Sequence, residues 1–274
     1  MIVAINYAND KFRIQQEYNT YTAYKYGKVD KVIEYSPKDI DFSFKEENKE
    51  ILAFERGDGL WIWKPYFILR TLQEIEENDY LIYIDSGSYY CNDVKHLIDV
   101  MENEKKDILA FQMPLLEIQW TKKETFDFLG VKDYSRNQFL GGYMVLKKTA
   151  FTLSLINEWL ELMKNPICSS PIDTSKERFD NFIEHREDQS VFSLLCHKYG
   201  IQGHREPSQY GDYPWLYRYH REYAYKSINF INSPYPRIIV SVRRSKPYSV
   251  KWKLFIKDFL NKLGLYKALF DKNY

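Results

Sequence analysis

The sequence predicts an α/β fold with a largely parallel central sheet. Short apolar runs that end on polar residues alternate with longer segments of helical periodicity, which is the pattern of strands joined by crossover helices. The composition is that of a packed domain: of 274 residues, 45% are hydrophobic and 28% charged, enough apolar surface to bury a core. No stretch approaches the roughly 18 apolar residues a membrane span needs, and no internal repeat or linker divides the chain. The expected organisation is one domain over residues 1–247, followed by a basic amphipathic helical tail over 248–274.

In order, Ile2–Tyr7 is a buried run that ends on Asn6 and Tyr7 and reads as the first strand. Phe12–Tyr26 has helical spacing and meets Gly27. Lys31–Tyr35 is a second strand, closed by Ser36-Pro37. Trp61–Ile75 is a helix opened by the Gly57-Asp58-Gly59 turn, with Pro65 tolerated in its first turn. Tyr80–Ile84 is a third strand and delivers Asp85 at its end. Ile108–Met113 and Phe139–Leu146 are further strands, the second entered through Gly141-Gly142. Thr149–Met163 and Asp188–Tyr199 are helices, and Asn229–Asn232 and Arg237–Val242 read as late strands.

The net charge of +1 conceals an asymmetry. From Arg237 to Tyr274 there are ten basic residues against only Asp258 and Asp271, so the body before them is net acidic. An acidic body excludes a uniformly basic nucleic-acid binder. In the tail, Trp252, Phe255, Phe259, Leu263, Tyr266 and Phe270 recur at spacings of three and four, flanked by lysines. That pattern predicts an amphipathic helix for an anionic membrane surface; the competing expectation is a helix packed on the domain with its lysines solvated. Cys91, Cys168 and Cys196 are widely spaced and fit free thiols. The N-terminal run has no positively charged lead, so the expected location is the cytoplasm, peripheral on the inner face of the membrane.

Several chemistries lack their motifs. There is no His-Glu-Xaa-Xaa-His, no phosphate loop ending in Gly-Lys-Ser/Thr, no Gly-Xaa-Gly-Xaa-Xaa-Gly and no Gly-Xaa-Ser-Xaa-Gly elbow. Four other features carry chemistry. Asp85-Ser86-Gly87-Ser88 puts a carboxylate and small residues at a strand end, either as a turn Asp that caps local N–H groups, the simpler reading of the tetrapeptide alone, or where α/β sheets bind ligands. Glu187-Asp188-Gln189 opens a helix, either as caps or as groups aimed into a cleft. Gly141-Gly142 serves a β-bulge or the close approach of a ligand. Trp61-Ile-Trp63-Lys64-Pro65-Tyr66 surrounds a Gly-rich turn with aromatic rings and a cation, for packing or for stacking on a ring.

In order and spacing these segments resemble bacterial GT-A-fold glycosyltransferases of the surface-polysaccharide type, over residues 1–247. Leu81-Ile-Tyr-Ile-Asp85 is similar to their Leu-Tyr-Leu-Asp-Xaa-Asp strand end, Phe139-Leu-Gly-Gly-Tyr-Met-Val to their sugar-site strand, and Glu187-Asp188-Gln189 to their acidic helix start. Arg243-Arg-Ser-Lys246-Pro247 is similar to a late segment that reaches the donor diphosphate. The resemblance implies a Rossmann-related fold and transfer of a sugar, of the hexosyltransferase kind, from a nucleotide-diphosphate donor to a glycan or lipid-linked acceptor. It implies that Asn6 and Tyr7 hold the base, that Trp63, Lys64, Asp85, Ser86, Gly141, Gly142, Arg243 and Lys246 bind the nucleotide sugar, and that Asp188, Glu187 and Gln189 are catalytic. It also implies Mn2+ or Mg2+ at Asp85, although the second acid of the metal motif is Gly87 here. Asp93, the donor diphosphate and water are expected to complete the shell, and Asp188→Asn is expected to abolish transfer with little effect on folding or donor affinity. The competing function is a non-catalytic nucleotide- or sugar-binding protein on the same fold.

Overall fold

The strands, in chain order, are β1 (Ile2–Tyr7), β2 (Lys31–Tyr35), β3 (Tyr80–Ile84), β4 (Ser88–Tyr90), β5 (Ile108–Leu116), β6 (Asn137–Lys147), β7 (Gly203–Arg205) and β8 (Ile239–Ser241). They come from a computed structural model that describes residues 1–172, 177–218, 222–242 and 247–265. Six of them form the central sheet in the order β2-β1-β3-β6-β5-β7, and β4 pairs with β8 in a separate two-stranded ribbon. β1 runs parallel to β2 and β3, and β5 parallel to β7, whereas β6 is antiparallel to both β3 and β5. Five strands thus share one direction, which makes the sheet mostly parallel. The reversal of β6 places its first residues at the carboxyl ends of β3 and β5.

Burial is nearly continuous along β1, β3, β5 and β6 because both faces are covered, and successive side chains enter opposite cores. Val3, Ile5, Leu81, Tyr83, Met144 and Leu146 face a core shared with the Trp63–Glu74, Ala150–Met163 and Glu187–Lys198 helices. Ala4, Ile82, Ile84, Val145, Leu109 and Phe111 face a second core against the Lys95–Glu104 helix. Thr149 starts the Ala150–Met163 helix by accepting from the Thr152 N–H in a capping box, a contact whose loss typically costs about 1 kcal/mol.

β1, β2 and β3 lie where the apolar runs predict. Other elements differ, for local reasons. The first helix is α-helical over Arg13–Thr22 and continues through a π turn at Ala23–Gly27, closed by Lys28 at φ 58°. β5 runs past Pro114 to Leu116 through register shifts that accommodate the missing N–H. Arg237–Val242 contributes only Ile239–Ser241, paired with β4 outside the central sheet. Asn229–Asn232 forms no strand; its apolar content is two residues, too little to hold a sheet position. The Lys95–Glu104 helix has no counterpart in the predicted elements, although Leu97, Ile98, Val100 and Met101 give it a buried face.

Candidate functional site

At the end of β3 the Asp85 N–H donates to the Gly142 carbonyl at 3.0 Å, which ties the strand end to the reversed β6. Around it the register between β5 and β6 jumps: Ala110 stands opposite Met144, but Gln112 stands opposite Phe139. The paired glycines therefore lie in a bulge, and close approach explains their identity as well. A Cβ on Gly142 would lie 2.9 Å from Asp85 Oδ2, and one on Gly141 would lie 3.0 Å from the Gln189 Cβ and 3.3 Å from Asp188 Oδ2.

The chemical centre is Lys64. Its ammonium is 4% exposed, donates to the Gly141 carbonyl at 3.1 Å, makes a short ion pair with Asp188, and stands 3.7 Å from Asp85 Oδ1. It also lies 5.3 Å from the Tyr83 ring centroid, and the Tyr83 hydroxyl donates to Asp85 Oδ1 at 2.5 Å. The two carboxylates differ in access: the Asp188 side chain is 7% exposed and that of Asp85 is 47% exposed. Burial pushes the Asp188 carboxyl up to about 6, with the Lys64 ammonium opposing that rise. Burial pulls the Lys64 ammonium down, but Asp188 and Asp85 outweigh it and its pKa stands raised. The result is an ion pair at neutral pH, held under an open carboxylate.

The helix start is not capped by its acids. Ser190 Oγ accepts from the Arg186 N–H at 3.0 Å and donates to the Trp120 carbonyl at 2.6 Å, while Asp188 turns to Lys64. The Trp159 indole N–H pins the Asp188 carbonyl at 3.1 Å. Gln189 accepts from the Gly141 N–H at 3.1 Å and donates to Gln138 at 2.8 Å. Glu187, at φ 34°, pairs with Arg56 at 2.6 Å, and burial raises its carboxyl to about 7 against the pull of that guanidinium.

Arg56 begins the wall that carries Lys64. Residues 57–61 all have positive φ, from 53° at Leu60 to 92° at Gly59, and bonds from the Leu60 N–H to the Arg56 carbonyl and from the Trp61 N–H to the Gly57 carbonyl close a left-handed turn. For the non-glycine members Asp58, Leu60 and Trp61 that conformation costs roughly 1–2 kcal/mol each. Packing holds it: Leu60 is buried, the Trp63 indole donates to the Gly57 carbonyl at 2.8 Å, and the Tyr7 hydroxyl donates to Asp58. Tyr7 and Trp63 stack at 3.8 Å and 16°. The turn thus aims the first residues of the Trp63–Glu74 helix, Lys64 among them, at the strand ends.

Of the residues singled out in the sequence, Lys64, Asp85, Gly141, Gly142, Asp188 and Gln189 come together, with Trp63, Tyr7 and Glu187 packed behind them. Ser86 follows Asp85 and is 8% exposed. Asn6 is placed differently from expectation: it is 1% exposed, and its amide is engaged by Gln16 at 2.9 Å, Asn19 at 2.9 Å and Thr20 at 3.2 Å, so it presents nothing at the strand ends. Tyr7 and Lys64 likewise spend their polar atoms on Asp58 and on the two carboxylates rather than on open space. Arg243 and Lys246 lie outside the described residues.

The donor set for a cation is small. Asp93 accepts from the Lys95 N–H at 2.8 Å, just ahead of the Lys95–Glu104 helix. Among the described residues no group of three or more His, Cys, Asp or Glu side chains converges. A divalent cation takes about six oxygen ligands, and Asp85 alone, with an ammonium 3.7 Å away, does not fit that requirement.

Arg56, Tyr83 and Gln138 were not singled out from the sequence. Tyr83 had a legible signal, since it lies two residues before Asp85 and alternation puts both on one face of the strand. Arg56 and Gln138 had none, because their partners Glu187 and Gln189 are distant in the chain.

No family model matches this sequence, and no curated protein does. Solved structures similar in shape include an active-site mutant of LgtC (TM-score 0.47, 10% identity, 92% of this chain and 93% of that one). They include the apo form of mouse xyloside xylosyltransferase 1 (TM-score 0.46, 10% identity, 88% and 97%). They also include the apo glycosyltransferase GlyE of Streptococcus pneumoniae (TM-score 0.43, 14% identity, 92% of this chain and 59% of that one).

Proposed function

We propose that this chain is a glycosyltransferase, of the hexosyltransferase kind, that moves a sugar from a nucleotide-diphosphate donor to a glycan or lipid-linked acceptor in bacterial capsule or lipopolysaccharide synthesis. The observation that carries the proposal is the arrangement at the strand ends: an open carboxylate and an enclosed one share a single buried ammonium and close on Gly141 and Gly142, where a side chain would collide with them. Sugar transfer asks for such a site. The acceptor hydroxyl oxygen bonds to the anomeric carbon, the bond from that carbon to the diphosphate breaks, the electron pair leaves with the diphosphate, and the hydroxyl proton passes to a base. The transition state carries positive charge on the sugar, which a fixed carboxylate stabilises.

In this reading Asp85 meets the ligand because it is the accessible acid, and Gly141 and Gly142 let the donor approach the backbone. Asp188 holds Lys64, and Lys64 sets the charge and direction of Asp85. Gln189 fixes the glycine strand from the other side, and Glu187 holds the Arg56 turn. Arg243 and Lys246 belong to the proposal as counter-charges for the leaving diphosphate. No step is assigned to a metal. Acceptors on lipid place the reaction at an anionic membrane surface, for which the basic tail is suited; no nucleic acid is part of the reading.

The test is a thermal-shift screen of UDP, GDP, CDP and dTDP sugars with and without manganese, followed by transfer assays with the donor that binds. One donor should raise the melting temperature, and Asp85→Asn should abolish turnover. Absence of any shift or turnover across the panel overturns the proposal. A second reading, a non-catalytic nucleotide- or sugar-binding protein, is favoured by Gly87 at the second metal position; donor binding with neither transfer nor donor hydrolysis decides for it.

A further inference from the structure

The Pro247–Lys262 helix is fastened to the body on one side and bare on the other. Leu254 is 6% exposed and packs with Tyr89, Val240 and Val242. Asp258 accepts from Arg237 at 2.9 Å and 3.1 Å and from the Tyr213 hydroxyl at 2.5 Å. At 3.6 residues per turn, the opposite side carries Trp252, Phe255, Ile256 and Phe259. These are 71, 64, 53 and 56% exposed.

A second bare stripe lies on the Arg13–Thr22 helix, more than two hundred residues earlier. Ile14 and Tyr21 are 77% and 51% exposed, and Tyr18 shares their helix face. Tyr24 and Tyr26 follow as exposed rings, and the Lys25 ammonium lies 2.6 Å from the Tyr21 hydroxyl and 5.4 Å from the Tyr26 ring centroid. The two helices adjoin through the fastened side of the second. Tyr18 meets Tyr89 edge-on at 5.2 Å and packs against the cluster that holds Leu254.

Both stripes set apolar or aromatic side chains beside cations, and the N-terminal one also carries Glu17, 60% exposed and paired with Arg13 at 3.2 Å. Lys253 and Lys262 are exposed beside the C-terminal stripe, and Lys25 and Lys28 beside the N-terminal one. Residues 252–265 contain one acid, Asp258, and Arg237 and Tyr213 engage it. Burial, then the neighbouring Lys253 and Arg237 charges, pulls the Lys257 pKa down. A solvent-facing apolar stripe is a standing liability unless something covers it. Trp and Tyr rings beside lysines suit the headgroup region of a bilayer with anionic lipid, where the rings reach the acyl boundary and the ammonium groups meet phosphate.

We propose that the outer stripes of the Arg13–Thr22 and Pro247–Lys262 helices form one composite surface that lies on an anionic phospholipid bilayer. The inference rests on the membrane reading given under Proposed function and adds the N-terminal helix to it. Two contacts to the body, at Leu254 and at Asp258, keep the C-terminal stripe in fixed relation to the first helix. The same β4–β8 ribbon that receives Leu254 begins three residues after Asp85, so docking would also set the orientation of the strand ends toward the bilayer.

Flotation of the full chain with vesicles of phosphatidylcholine plus phosphatidylglycerol, against phosphatidylcholine alone, tests this. The wild-type chain should float with the anionic vesicles only. Ile14→Ser with Tyr21→Ser, and separately Phe255→Ser with Phe259→Ser, should each lower the partition coefficient by about tenfold, with melting temperature and donor-induced thermal shift unchanged. If only the C-terminal pair lowers it, the composite surface is overturned and the tail remains the membrane contact. If the wild-type chain stays with the soluble fraction, both membrane readings fall, while the donor screen still judges the glycosyltransferase reading by itself. A vesicle-free dimer that either pair dissociates, with no flotation, assigns the surface to a second copy and also overturns the proposal.

Discussion

Two regions of this molecule treat charge in opposite ways. At the strand ends Lys64 is 4% exposed and faces Asp188 and Asp85, so a buried cation is matched within contact distance. Along the C-terminal helix Lys253 and Lys262 are exposed, and apolar rings share the solvent with them. The first arrangement is rigid because leaving any member unpaired in a low-dielectric interior is expensive. The second gains almost nothing from its charges within the folded chain. Substitutions should therefore read as stability and turnover in one region, and as partner binding alone in the other.

The largest effect is expected for Asp188→Asn. It strands the Lys64 ammonium, and breaking a buried pair costs about 3–5 kcal/mol. That corrects the expectation that folding would be little changed, because Asp188 proves to be a structural partner as well as a site residue. Under the proposed function, turnover should fall by roughly a hundredfold or more. Chemical denaturation and transfer assays measure the two separately. Adding Lys64→Met to that variant should recover stability, with a coupling energy of about 1–3 kcal/mol, and recover no activity. If the double variant is as unstable as the single one, the pair is not what holds this region.

Next is Gly142→Ala. The added Cβ meets Asp85 Oδ2 at 2.9 Å, and the carboxylate is the free end of a half-exposed side chain that has room to move. Stability should change by about 1 kcal/mol, while donor affinity or turnover, if Asp85 meets the donor, falls further. A variant with unchanged activity would remove Asp85 from the site.

A pH effect comes third. Burial raises the Glu187 carboxyl from 4.5 to about 7, so between those values the folded chain binds more protons than the unfolded one, and stability falls as pH rises through the window. Glu187→Gln should therefore stabilise the fold by about 1 kcal/mol at pH 8, less the lost Arg56 contact, and the difference should vanish near pH 4. Melting curves at both values check the sign. Burial likewise raises the Asp188 carboxyl from 3.8 to about 6, and activity should fall as the pH drops through 6 and the Lys64 ion pair is lost.

The smallest effect belongs to the other region. Lys253→Glu should leave stability within about 0.5 kcal/mol, as an exposed charge away from any network does, while weakening attraction to anionic vesicles. A clear loss of stability would break the contrast between the two regions.

Several parts of this architecture were legible in the residues alone. β1, β2 and β3 have their predicted bounds: β1 and β3 are buried runs stopped by polar residues, and β2, a half-buried edge strand, is stopped by Ser36-Pro37. Thr149 announces its helix, because a cap is a bond between neighbours in sequence. The exposed stripe at Trp252, Phe255 and Phe259 is visible as helical spacing. Tertiary structure decided what depends on groups distant along the chain. The reversal of β6 is a pairing choice that no local spacing encodes, and it brings Gly141 and Gly142 over Asp85. Lys64 and Asp188 are 124 residues apart, and Arg56 and Glu187 are 131 apart. Their ionic contacts, and the left-handed turn they brace, exist only once the sheet and three helices have packed. Local propensity can name the acids and the cation at a strand end, but only the packed core determines which acid is enclosed with Lys64 and which stands open.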